Sequence, residues 1–153
     1  MKKLFDKDEV WFAVAWIVIY VVGFGNAESL SESIAVAKLL TILAGLVMTL
    51  ILCGFIHKNG LREYFGLCGI HGGGSAFLWF IPLIVISSVN LWNGIAVQAP
   101  SVEILTHIIS MAMVAFLEEL IFRGLLFNGM RKSGLTAAII VSSLTFGMGH
   151  IVN

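Results

Sequence analysis

Polar residues divide the chain into five apolar runs: 10–25, 34–56, 75–99, 102–127 and 135–152. Crossing a bilayer as a helix takes about 20 residues, within a range near 17–25, so the first run is short and the others fit. The runs are unbroken rather than alternating, which argues against a β-barrel, and only helices otherwise satisfy the backbone in hydrocarbon. The pattern predicts an all-α, polytopic transmembrane helical bundle of about five membrane segments. A single membrane domain over 1–153 is expected, with no internal repeat or low-complexity tract.

Composition agrees. Hydrophobic residues make up 59% of the 153 and charged residues 12%, whereas a water-facing domain carries about 25% charged residues. An integral membrane protein follows. Net charge is zero and no basic run exceeds two residues, so nothing points to nucleic acid. Cys53 and Cys68 form no C-x-x-C or other framework. Lys2 and Lys3 precede the first run as in a signal peptide. Asp6, Asp8 and Glu9 interrupt that basic region and no small-residue cleavage site follows Phe24, so a retained helix is the better reading.

The basic residues outside the runs are Lys2, Lys3, Lys7, Lys58, Arg62, Arg131 and Lys132, and all belong to alternate connections on one side. The positive-inside rule makes that side, and the N-terminus, cytoplasmic.

The fourth run raises a chemical question, because "VAFLEELIFRG" sets Glu118, Glu119 and Arg123 in apolar surroundings. A central charge costs about 2.5–3.5 kcal/mol on insertion scales, so such groups face a partner or a wet cavity. Glu119 and Arg123 are one helical turn apart and suited to an ion pair. Glu118 points about 100° away, toward another neighbour. One carboxylate is then structurally paired while the other remains available as a general acid or base. The competing bland reading is a salt-bridged packing cluster.

The fifth run supplies a partner. Phe146 and His150 lie one turn apart, with Gly147 and Gly149 permitting close helix approach. If runs four and five fold back at "RKSG", 131–134, His150 comes within about one turn of Glu118 and Glu119, some 20 Å below the basic end. A lone His on an apolar helix is more often a packing residue, but one level with a double Glu suggests activation of water for attack on a carbonyl.

E-E-x-x-x-R at Glu118–Arg123 followed by F-x-x-x-H at Phe146–His150 resembles the CPBP family, the CAAX proteases and bacteriocin-processing (abortive-infection, ABI) enzymes. The motif region is 116–153. The resemblance implies an intramembrane endopeptidase acting on a hydrophobic or lipidated peptide within the lipid, with bacterial plasma membrane as the setting. By that similarity Glu118 activates water, Glu119 and Arg123 support it, and His150 is a second catalytic residue. The metal expectation is open: zinc is weakly supported, since no H-E-x-x-H is present and its ligands would have to come from Glu118, Glu119, His150 and something unidentified. The family pattern continues with another His and an Asn or Asp on further helices. Ending at Asn153, which itself could donate a hydrogen bond, the chain is expected to be a fragment, a truncated product or an inactive relative. Two alternatives stand beside the protease: an inactive membrane immunity or interaction protein, and a proton-coupled transporter built on the same Glu and His.

Other signals carry bland expectations. His107 sits about 16 Å along the helix from Glu118 and suits an interface. "HGGGS" at 71–75 is similar to a lipase oxyanion loop but lacks a G-x-S-x-G elbow. Lys38 should snorkel or pair with Glu28 or Glu32. Trp11, Trp16, Trp79 and Trp92, with Tyr64 and Phe65, suit interfacial anchoring. Asn90 and Asn93 suit interhelical hydrogen bonds.

Overall fold

A computed structural model describes residues 1–34, 38–69, 74–89, 92 and 100–152. Within them every regular element is helical. The order is α1 (Lys2–Lys7), α2 (Glu9–Ser33), α3 (Leu39–Lys58), a 3-10 segment (Gly74–Phe80), α4 (Ile81–Ser88), α5 (Ser101–Arg131) and α6 (Leu135–Val152). Among the described residues three helices, α2, α3 and α5, are long and apolar enough to cross a membrane, and α6 is a shorter apolar helix. Residues such as Val22, Leu50 and Ile108 expose more than half of their surface, an outer face suited to lipid rather than water. The all-α membrane bundle is borne out.

The third run is described only in part. Of 75–99 the described part is the 3-10 segment followed by the eight residues of α4, and 90, 91 and 93–99 lie outside the described residues. Pro82 sits in the first turn of α4, where proline's fixed φ and missing N–H favour a fresh helix start over continuation of an earlier one. The first run extends beyond the expected 10–25. The Asp8 carboxylate accepts hydrogen bonds from the Val10 and Trp11 amides at 2.9 and 3.1 Å, capping α2 at its start. At its far end α2 continues through polar residues because they are engaged: Glu28 accepts from Lys38 and, at 2.8 Å, from Thr41, while Ser31 meets Thr41 at 3.3 Å. Lys38 also reaches Glu32 at 3.3 Å, so the expected pairing of Lys38 is present.

The core runs along one stripe of α2. Phe12, Trp16, Tyr20 and Phe24 recur every fourth residue, which keeps them on one helix face, and all four are buried. They pack with Met48, Leu52, Phe55 and Ile56 of α3 and Leu117, Ile121 and Leu125 of α5. At Gly45 a side chain would meet Phe24 and Met113, so its absence lets α3 approach both neighbours. Trp16 is thus a core residue rather than an interfacial anchor, and Phe65 is likewise buried. Trp11 and Trp92 are exposed, and Tyr64 is partly so. His71, Asn90, Asn93 and Asn153 lie outside the described residues.

The basic end is closed by a structure that periodicity did not disclose. Short α1 inserts Phe5 between Phe12, Phe55 and Phe65, with ring centroids 5.5, 5.7 and 5.9 Å away. Beside it Glu9 accepts hydrogen bonds from Tyr64 at 2.7 Å and Lys132 at 2.9 Å. Asn128 donates to the Tyr64 carbonyl at 2.8 Å. The start of α2, the loop after α3, the end of α5 and the turn into α6 are tied together there. Gly129 makes this possible, since a Cβ at that position would lie 3.3 Å from backbone atoms of Glu9 and Val10. Gly129→Leu is therefore expected to destabilise the protein by about 1–3 kcal/mol, the usual cost of overpacking. Thermal unfolding in detergent reads this, and an unchanged midpoint would show that the two helices separate freely.

Burial, and then the hydrogen bond to Glu9 and its charge, push the Tyr64 hydroxyl up to about 12, from an ordinary value near 10. A phenol raised in the folded state contributes its stability fully below about pH 10 and loses it as pH climbs through about 12. The stability of wild type relative to Tyr64→Phe should then be constant below about pH 10 and decline as pH rises toward about 12. Parallel curves across that window would remove the hydroxyl from the clamp.

Candidate functional site

Helix α5 is not uniform. From Ser101 to Glu118 it is α-helical, and from Glu119 to Leu126 it widens into π-helical geometry before closing as α-helix over Phe127–Arg131. Within the wide stretch the Phe127 amide reaches back five residues to the Phe122 carbonyl. Such segments are rare and frequently sit at functional sites. Here one begins at the second residue of the double glutamate.

Glu119 pairs with Arg123 along the same helix. Both are more than half exposed and line an open cleft of ≈ 620 Å³ between α5, α6 and the loop residues Glu63–Leu67. Glu118 turns to a different side and is largely buried, with 19% of its side chain exposed. Helical spacing sends the two carboxylates to different sides, and the geometry does the same: Glu119 pairs along its helix and Glu118 faces another element.

Helix α6 reaches Glu118 through a tight reversal. Gly134 adopts φ 115°, a left-handed conformation open to glycine without strain. The Ser133 and Gly134 amides bond to the carbonyls of Met130 and Arg131 at 2.9 and 3.1 Å, and the chain folds back antiparallel. His150 then lies level with Glu118, its Nε2 4.0 Å from Glu118 Oε2. At 3.1 Å the His150 Nδ1 faces the Phe146 carbonyl. A carbonyl only accepts, so the proton of a neutral imidazole belongs on Nδ1 and Nε2 is left facing the carboxylate.

Phe146 organises the surroundings. Its ring is 4.5 Å from the His150 ring, 5.4 Å from Phe122 in an edge-to-face contact, and 5.7 Å from the Arg123 guanidinium, which lies over it. The motif phenylalanine is thus the spacer between the motif arginine and the motif histidine. A small cavity of ≈ 110 Å³ adjoins Glu118 and is lined by Phe122, Arg123, Ser142, Ser143 and Phe146.

Tyr20 was not anticipated. Its hydroxyl donates to Glu118 Oε1 at 2.9 Å across 98 residues of sequence. The available signal was the four-residue aromatic stripe of α2, in which Tyr20 alone carries a hydroxyl and must find a partner when buried.

Glu118 and His150 converge, but Glu119 is directed to Arg123 on another face. No group of three or more His, Cys, Asp or Glu that could hold a metal occurs among the described residues. A catalytic zinc takes three protein ligands, and the three residues considered, Glu118, Glu119 and His150, do not converge as such a set. His107 is exposed and remote in sequence from this centre.

Residues 100–153 match the family model for type II CAAX prenyl endopeptidase Rce1-like proteins. The match bears out, over the last third of the chain, the resemblance to CPBP intramembrane proteases carried by the two motifs. No curated protein and no solved structure matches the chain.

Proposed function

We propose that this integral membrane protein is an intramembrane endopeptidase that hydrolyses a peptide bond of a hydrophobic or lipidated substrate, with its basic end on the cytoplasmic side of a bacterial plasma membrane. The observation that carries the reading is the confrontation of Glu118 Oε2 and His150 Nε2 at 4.0 Å. That separation is too long for a direct hydrogen bond and suits two groups sharing one water molecule.

Glu118, as the carboxylate, takes a proton from this water while the water oxygen attacks the scissile carbonyl carbon. A C–O bond forms and the carbonyl electron pair moves to oxygen, giving a tetrahedral oxyanion. Collapse breaks the C–N bond, and the proton held by Glu118 passes to the departing nitrogen, which restores the carboxylate. His150 holds the water and takes part in proton sharing from the opposite side. Proton transfer by a positioned group contributes about 10²–10⁴-fold. Glu119 and Arg123, bound to one another, keep a compensated charge pair at the cleft beside the centre instead of a bare cation in lipid.

The test is reconstitution of the full chain in lipid vesicles with a membrane-embedded reporter peptide. Cleavage should release a fragment whose new carboxylate carries one ¹⁸O when the reaction runs in H₂¹⁸O. Proton-coupled solute flux with an intact reporter would assign the Glu and His to a transport relay and overturn the protease reading.

A further inference from the structure

We infer that Tyr20 is a positioning residue for Glu118, fixing which of its two oxygens faces the reacting water; the inference rests on the function proposed above. A terminal carboxylate torsion is broad and nearly two-fold, so a glutamate held by nothing presents either oxygen to a neighbour. In this protein the two oxygens are already assigned. Oε1 accepts from the Tyr20 hydroxyl at 2.9 Å and Oε2 faces His150 Nε2 at 4.0 Å. The occupied oxygen is the one turned from the histidine, and the free one is where a water would be shared.

The tyrosine is itself held. Its ring packs 5.2 Å from that of Phe24, and both are buried. Phe24 in turn fills the space that Gly45 leaves open on α3. A chain of contacts from α3 through α2 therefore fixes the hydroxyl against a carboxylate on α5. A hydrogen bond to an ionised group is about twice as strong as a neutral one, and losing it leaves the carboxylate free to rotate away from His150. A packing tyrosine would need only some acceptor. This one takes the single carboxylate that also faces the motif histidine, and it comes from a helix outside the motif region.

Tyr20→Phe removes one oxygen and keeps the ring against Phe24. In the reconstituted cleavage assay kcat is expected to fall about 10–100-fold while KM stays within about twofold, as for an interaction realised in the transition state. A 3-fluorotyrosine at position 20 keeps the hydroxyl and should retain kcat within about threefold. A readout independent of turnover is the infrared carboxylate stretch of Glu118, identified by its loss in Glu118→Gln. It should shift far more in Tyr20→Phe than in the fluorotyrosine protein, whose hydroxyl still donates to the carboxylate. Full kcat in Tyr20→Phe, together with an unmoved band, overturns the positioning role while leaving Glu118 as the base. A wild-type chain that cuts no reporter overturns the functional reading itself, and the positioning role with it.

Discussion

Glu118→Gln is expected to lower reporter cleavage by about 10²–10⁴-fold, the range for loss of a positioned acid–base group, while insertion and folding persist. Glutamine keeps the length of the side chain and an oxygen for Tyr20, so the aromatic stripe of α2 and the hairpin of α5 and α6 have no reason to rearrange. What is lost is the charge and the basic lone pair aimed at the shared water. Initial rates in vesicles, normalised to folded protein, give the measurement. Cleavage at the wild-type rate would falsify the role assigned to Glu118, whatever else the site does.

His150→Phe is expected to lower the same rate by about 10²-fold. The substitution keeps a ring of similar size against Phe146, whose centroid lies 4.5 Å from that of His150, and removes both nitrogens. Alanine would confound lost chemistry with lost stacking, so phenylalanine is the sharper probe. If the phenylalanine protein works as well as wild type, His150 is a packing residue that happens to lie level with the acid. Together the two substitutions separate the groups on either side of the water, and as members of one unit their effects should not add.

The pairing of Glu118 with His150 was legible in the sequence because it depends on few quantities. A short turn at "RKSG" joins two helices of known rise, and antiparallel packing then fixes depth. The Glu119–Arg123 contact followed from i,i+4 spacing alone, and the Lys38 pairing from its nearest acids. Tyr20 was not legible in this way, since its meeting with Glu118 depends on how α2 rotates against α5, which no local pattern sets. Trp16 and Phe65 were misplaced for a related reason. An aromatic ring suits both an interface and a core, and only the packing of α1, α2 and α3 decides between them. The third apolar run shows a different limit, because hydropathy counts residues and does not see the change from 3-10 to α geometry beside Pro82.

The widened turn of α5 has a consequence for insertions and deletions. Between Glu119 and Leu126 the chain coils with more residues per revolution than the α-helix on either side. Excising one residue there could be absorbed by tightening to ordinary pitch, without breaking the rod. Because the wide coil turns less per residue, tightening it takes up most of the lost rotation and everything beyond the cut keeps nearly its facing, whereas the same cut in regular α-helix would turn it by roughly 100°. The acid would still face Tyr20 and Gly129 would stay beside Glu9 and Val10 at the start of α2. The slack coil thus acts as a phase adjuster, letting a single straight element present its carboxylate to one wall and its glycine to another.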